Sequence, residues 1–588
     1  MRRFTCDFET TTDPHDCRVW AYALCEIGKP ENFSYGNSID DLIEWCRKQK
    51  DNVALYFHNL KFDGCFITYW CETHGFEWIE DVKDAADNTY TTLITNMGAW
   101  YSMELFFKVN GKHRNKVSIY DSLKILNFSV EEIAKGFNLP IRKLELDYNT
   151  YRAPGHKLTP HEIDYIRNDV EIVARALDVM FKQGHEKMTI GSNALENFKE
   201  LCPDFKNLFP VFDAAIDHDI RQSYKGGFTW LNPKYQGKET GSGVVFDVNS
   251  LYPSVLYDAL MPVRMPLPFE GKYEPDPMYP LYTQTISCRF ELKSNKIPSI
   301  QIKGSFAFRP NEYLESSNGE LVCLVLTNPD LELFFDQYNV YDIQWQGGWK
   351  FQGMRGVFKE YIDYWSEQKI KSKKEGNKAQ YLISKLFMNS LYGKTGSNPL
   401  GAKKRPYIGD DGAVHEMYLP LEERKPIYVP CASWCTSYAR CKTIRSAQAV
   451  RDWSMKNKGY DAFVYADTDS MHVTGIDQHD VEELGKFIEI DDYKLGAWKK
   501  ESIYWRGKYL RQKCYMELWP DMTTNVTVAG LPKKLGHLVN FDNFKIGFKI
   551  GFNTADFTDD EIGEKGRKLT YKHVPGGVIL VPTDFTIN

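Results

Sequence analysis

The 588-residue sequence contains no run of about eighteen apolar residues, which removes a transmembrane helix from consideration. Its start, Met1-Arg2-Arg3-Phe4, passes at once into strand-like residues, so no signal peptide is read there. The 13 cysteines include no paired C-x₂-C zinc spacing, and Cys431 with Cys435 stands alone. A scattered odd set fits a reducing cytosol better than a disulfide framework. Internal repeats and low-complexity tracts are missing as well. So is a surplus of positive charge: the net charge is −6, without the overall basic character of a nucleic-acid binder. That last absence excludes little, because a cleft can be basic on an acidic body. Local basic runs do occur, at 369–374 and from Arg506 to Lys513.

What is present is a folded chain, 43% hydrophobic and 14% aromatic, too long for one hydrophobic core. Tyr465-Ala466-Asp467-Thr468-Asp469-Ser470 lies between apolar and β-branched residues and reads as strand, tight turn, strand. Two carboxylates so close repel each other, and a divalent cation relieves that repulsion through hard oxygen ligands. Alone, the hexapeptide equally suits an acidic surface turn. A second acid, Asp247, ends the apolar stretch Gly243–Phe246 just before a helix start with Pro253 in its first turn. Between these acids Lys385, Asn389 and Tyr392 recur at i, i+4 and i+7, placing a cation and a flat ring on one helical face. Such a face suits a triphosphate and a base.

A further set of acids lies in the first third. Asp7 and Glu9, two apart on a strand over Phe4–Thr12, face the same side of a sheet, where unpaired burial would be very costly. Leu55-Tyr56-Phe57 reads as a strand leading into a loop that carries Asp63. Thr159-Pro160 starts a helix that sets Tyr165 and Asp169 on one face. Four carboxylates can hold two cations about 4 Å apart, one activating water and one stabilising the leaving oxygen. Taken as residues, Phe62, Phe66 and Phe128 read as core, His58 as a hydrogen-bonded structural histidine, 226–227 as a Gly-Gly turn, and 184–210 as a polar linker.

Asp7, Glu9, Asp63 and Asp169 with Tyr165 reproduce the ordered acid set of DnaQ-like 3′→5′ exonucleases. With motif A at Asp247–Pro253, motif B at Lys385–Gly393 and motif C at Asp467–Asp469, the chain resembles the protein-primed family B DNA polymerases of phi-29-like phages over almost its whole length. The resemblance implies an α+β multidomain fold: a DnaQ-like (RNase H-like) exonuclease domain, then a right-hand polymerase with palm, fingers, thumb and two inserted β-rich subdomains. The implied ranges are exonuclease 1–186, palm 187–258 and 428–531, insertions 259–356 and 396–427, fingers 357–395 and thumb 532–588.

The same resemblance assigns residues. Single-stranded DNA would be held by Thr10, His58, Asn59, Phe62, Phe66, Ser122, Leu123, Phe128 and Tyr148, with Lys143 as the catalytic lysine and Tyr165 orienting water. Tyr224, Gly226 and Gly227, Ser390 and Gly393, Thr436 and Arg440, and Lys513 and Tyr515 would contact primer or template. Tyr252, Lys385, Asn389 and Tyr392 would bind the dNTP, with a second triphosphate lysine somewhere in 369–374 that the sequence leaves open. Asp7, Glu9, Asp63 and Asp169 at one site, and Asp247 and Asp469 at the other, would hold two Mg²⁺ each, with Mn²⁺ as a substitute; Asp467 would sit beside them.

The expected function is protein-primed, processive, strand-displacing DNA synthesis with 3′→5′ proofreading, by a monomer in the cytoplasm of the infected bacterial host. A phage terminal protein would dock on the first insertion, and the second would close a ring around DNA. Two other readings are a nuclease or repair factor whose second half only grips nucleic acid, and a non-catalytic replisome scaffold.

Overall fold

The computed structural model describes residues 1–110, 113–148, 150–301, 312–550 and 568–588. The first strand, Arg2–Thr10, pairs in parallel with Val53–Phe57 and antiparallel with Val19–Glu26. Lys29–Gly36 and His113–Asp121 flank these, giving the RNase H-like order third, second, first, fourth, fifth. Cys6 and Phe8 join a core with Phe57, Leu60 and Phe66. The other face, with Thr5, receives the helix Pro160–Lys182, whose Tyr165, Ile166 and Val170 pack against Trp20, Ala21 and Ala23.

That helix begins where its sequence says. Thr159 caps it, Pro160 takes the first turn, and Glu162 completes a reciprocal capping box. Asp63, expected in a loop, instead occupies the first turn of the helix Leu60–Thr73, entered through Asn59 at φ 89°. The stretch 184–210 is no linker. It holds the helix Ile190–Leu201, whose buried Ala194, Leu195 and Phe198 dock on the fingers, with Phe198 stacked 4.7 Å from Phe358. Polar neighbours hid that short apolar face.

The palm is a five-stranded antiparallel sheet in the order Trp498–Tyr504, Gly243–Val248, Ser470–Thr474, Phe463–Asp467, Thr229–Leu231. It packs on the 30-residue helix Val429–Lys458. The fingers are two helices, Lys359–Lys374 and Lys378–Thr395, joined through Gly376 at φ 68°. The first insertion is a four-stranded sheet that also contains a helix, Asn328–Gln337.

Two distant segments are annexed by the N-terminal domain. The hairpin Leu400–Ile408/Val414–Glu423 continues its sheet, with Lys403 opposite Thr95 and Lys404 opposite Ile94. The C-terminal hairpin Lys568–Val574/Gly577–Thr583 inserts Val574, Val578 and Ile579 into the core around Phe66. Its turn requires glycine: Gly576 sits at φ 99°, and a Cβ there would lie 1.9 Å from the Cys17 carbonyl oxygen. Residues 551–567 of the expected thumb lie outside the described residues.

Candidate active sites

Sheet and helix bring Asp7, Glu9 and Asp169 together so that one carboxylate oxygen from each lies within 4.8 Å of the others. Asp63 approaches from its helix. Burial, reinforced by Asp169, pushes the Asp7 carboxyl up to about 7, and burial with the charge of Asp7 raises Glu9 and Asp63 as well. Lys143 supplies the local countercharge, its Nζ 2.5 Å from Asp169 Oδ2 and its ammonium over the Tyr165 ring. Asp63 Oδ1 and Asp169 Oδ1 are buried without a hydrogen-bond partner. An all-carboxylate donor set with orphaned buried oxygens fits a hard divalent cation.

The residues expected around a DNA end surround this cluster, with differences. Tyr148 reaches the Tyr165 hydroxyl at 2.7 Å and is half exposed, as a surface for a nucleotide requires. His58 is spent on structure, with Nδ1 2.9 Å from Ser122 Oγ and Nε2 2.7 Å from the Phe128 carbonyl, and burial lowers its pKa. Phe66 is buried under the C-terminal hairpin and backs Phe62 at 5.5 Å. Thr10 and Leu123 are half-buried at the rim. Two residues escaped sequence reasoning. Asp121 is buried and accepts the amides of Asn59 and Leu123, fixing the loop that presents them. Tyr571, from the C-terminal hairpin, accepts a hydrogen bond from Asn59 Nδ2 at 2.9 Å and lies 6.0 Å from the Phe62 ring.

The second site forms in the palm. Asp247 pairs across the sheet with Ser470, and the Val248 amide donates to the Asp469 carbonyl at 2.8 Å. Both acids therefore open into one cleft of about 770 Å³, lined also by Glu501, Lys513 and Tyr515. Burial and the charge of Asp469 push Asp247 up to about 6, and burial also raises Asp469. As hard oxygen donors that open into one cleft and are both raised by burial, these two carboxylates fit a divalent cation. Asp467 is differently employed. It receives Lys513 Nζ at 2.9 Å on both oxygens and is further held by Thr229 and Tyr465. Left-handed backbone at Ser250, Thr468 and Lys513, costing on the order of 1 kcal/mol each, marks this cleft.

The fingers meet the cleft through Tyr392, stacked 4.1 Å from Tyr252. Lys385, Asn389 and Gly393 are exposed on the same helix, and Ser390 is half-buried. In the run 369–374, Lys369 is the half-buried lysine. Burial and the ammoniums of Lys385 and Lys499 lower its pKa. Gly227 is where a backbone closes on the motifs: a Cβ there would meet the Thr468 side chain at 2.6 Å and the Tyr252 hydroxyl at 3.0 Å. Gly226 has open space beside it, and Tyr224 packs on Gly396.

A profile of "DNA polymerase type B, organellar and viral" matches residues 46–484. The DNA polymerase of Bacillus phage Nf is 45% identical over 100% of this chain and 99% of its own length, and that of Bacillus phage phi29 is 43% identical over the same shares. Phi29 DNA polymerase complexed with primer-template DNA superposes with a TM-score of 0.90 at 41% identity, covering 100% of both chains. The chain belongs to the family B DNA polymerases of the phi29-like phages. It is a DNA-directed DNA polymerase of the exonuclease-plus-polymerase fold, it depends on metal, and it acts in an infected host. The nuclease-only and scaffold readings fall with that membership. Two expected DNA contacts of the polymerase are buried instead. Arg440, 3% exposed, binds Asp330 and the carbonyls of Lys225 and Gly226, and Thr436 bonds within its own helix. In this conformation Arg440 holds the Lys225–Gly226 backbone from behind, and Thr436 is buried within its own helix.

Proposed function

We propose that the polymerase extends phage DNA at the Asp247–Asp469 cleft and trims mispaired 3′ ends at the Asp7–Glu9–Asp63–Asp169 cluster. Each site would use two Mg²⁺, replaceable by Mn²⁺. Bound there, the ions supply the activated oxygen nucleophile and stabilise the leaving oxygen of an in-line displacement. The protein's own part is positional. Asp247 and Asp469 hold their oxygens toward the cleft, Asp467 fixes Lys513 toward the primer end, and Tyr252 with Tyr392 forms the floor beneath sugar and base. At the editing site Lys143 balances Asp169, and Tyr165, hydrogen-bonded to Tyr148, orients water.

The reading extends to partners and architecture. Relatives solved with single-stranded DNA and with primer-template plus incoming nucleotides support those ligands here. Lys369 is assigned as the second triphosphate lysine, because it is the half-buried lysine of its run and its ammonium feels that of Lys385. The ranges 1–186, 187–258, 259–356, 357–395, 396–427, 428–531 and 532–588 are assigned as exonuclease, palm, first insertion, fingers, second insertion, palm and thumb. A terminal protein would dock on 259–356, and 396–427 would close around DNA for processive, strand-displacing synthesis by a monomer in the host cytoplasm. The observation that carries the polymerase reading is the Val248–Asp469 backbone bond, which registers motif A against motif C. Protein priming is tested by transfer of labelled dAMP onto a co-expressed phage terminal protein without any nucleic-acid primer. No labelled protein, with DNA-primed extension intact, would remove the priming role and leave the polymerase.

A further inference from the structure

Lys499 plays no part in the motifs above, yet it sits directly across the sheet from Asp247. Cross-strand partners leave a sheet on the same face. Its Nζ is 3.4 Å from Asp247 Oδ1, and its side chain is 34% exposed. Among the described residues Asp247 is the one carboxylate within ion-pair reach of it. From the first finger helix Lys369 lies close enough for its ammonium to feel those of both Lys499 and Lys385, and neither finger lysine is ion-paired with a described carboxylate. Lys369 thus links the ammoniums of Lys499 and Lys385 at a cleft whose acids include Asp247, Asp469 and Glu501, and among the described residues only Asp247 is ion-paired with Lys499. Like charges held that close call for a multivalent anion.

We propose that Lys499 is a palm-side ligand of the incoming nucleotide's triphosphate, parked on Asp247 until a cation takes that carboxylate. The proposal rests on Asp247 and Asp469 being the nucleotidyl-transfer site. With a cation held by Asp247 and Asp469, the Lys499 ammonium would lose its carboxylate partner, and its flexible four-carbon stem would let it reach a phosphate oxygen instead. Lys499 would then close the palm side of a phosphate cradle whose finger side is Lys369 and Lys385. As a point charge with three donors, lysine suits phosphate oxygens that move between binding and release of pyrophosphate.

The full-length protein with Lys499→Ala and Lys499→Arg tests this. The dNTP dissociation constant is measured on a dideoxy-terminated primer-template, where no chemistry occurs, alongside KM, kcat and the Mg²⁺ half-saturation. Digestion of single strands at the other site checks folding, with Lys499→Met as a second variant should Lys499→Ala fail that check. Losing one charge-assisted contact should raise both Kd and KM for dNTP about tenfold. The change in kcat should stay within about twofold, Lys499→Arg should recover most of the loss, and Mg²⁺ half-saturation should hold. Unchanged dNTP affinity would overturn the assignment, as would an effect confined to Mg²⁺ half-saturation, which would make Lys499 only a counter-ion of Asp247. Neither result touches the polymerase reading, which Asp469→Ala decides.

Discussion

The editing cluster and the synthetic cleft solve one electrostatic problem at different depths. At the first, Glu9, Asp63 and Asp169 are 6%, 3% and 4% exposed, and Lys143, which pairs with Asp169, is itself exposed. At the second, Asp247 and Asp469 are half-buried, Lys499 pairs with Asp247 from the neighbouring strand, and Lys513 pairs with Asp467 from the turn after Arg506–Arg511. Burial raises the acids of both sites, Asp7 up to about 7 and Asp247 up to about 6. A site that admits one frayed strand can close over its acids with a helix. One that admits a duplex, a triphosphate and a moving finger helix must stay open, and it holds its acids by strand register instead.

If the two sites are independent, removing one leaves the other. Asp469→Ala should cut primer extension on the order of 10³-fold or more while single-strand digestion stays measurable. Asp7→Ala with Glu9→Ala should do the converse. Both activities assayed on the same preparation decide the matter, and equal loss of both in either variant would break the comparison at its root.

How far the sequence already carried this contrast depends on the range of the interaction. Motifs held by local spacing were legible: the Thr159 cap, the Tyr165–Asp169 face, the Asp467–Asp469 hairpin and the Lys385–Tyr392 face. Contacts made across the chain were not. Nothing in the residues near Ile94 announces a strand partner at Lys404, and nothing near Phe66 announces Gly577. Nor do the residues around Arg440, which the family resemblance assigns to primer or template, announce its buried pairing with Asp330, more than a hundred residues away. The left-handed turns at Ser250 and Thr468 carry no glycine to signal them.

The depth of the editing site also predicts a pH-dependent stability difference. Burial alone would raise Glu162, but the Thr159 amide, His156 and Arg152 outweigh it and hold the carboxyl at about 2, against 4.5 when free. Between those values the unfolded chain binds the extra proton, so the stabilisation is complete above about pH 4.5 and is lost as pH falls toward 2. Arg152 and Glu162 are both buried, 2.7 Å apart. Glu162→Gln leaves the guanidinium without its charge partner and should cost about 3 kcal/mol in the transition of the N-terminal domain. Calorimetry from pH 8 to 4 should give a constant gap between wild type and variant down to about pH 5, narrowing below it. A gap that stays constant down to pH 4 would assign the anchoring to contacts that do not depend on the Glu162 charge.

The smallest effect concerns whether the editing site is self-contained. Tyr571 is far from the exonuclease range in sequence, yet its hydroxyl holds Asn59 and its ring extends the Phe62 surface. It is 40% exposed, so part of the ring is free to meet a base. Tyr571→Ala removes an aromatic face from the single-strand path and should slow digestion of single-stranded substrate about fivefold. Tyr571→Phe keeps the ring, loses only the hydrogen bond to Asn59, and should slow digestion by less than about twofold. Extension of a matched primer should not change in either variant, because the hairpin lies on the exonuclease rather than over the palm cleft. If Tyr571→Ala digests single strands at the wild-type rate, the hairpin is docked for stability alone, and the editing site ends with the helix Pro160–Lys182. If Tyr571→Phe is as slow as Tyr571→Ala, the Asn59 contact rather than stacking is what the C-terminal hairpin contributes.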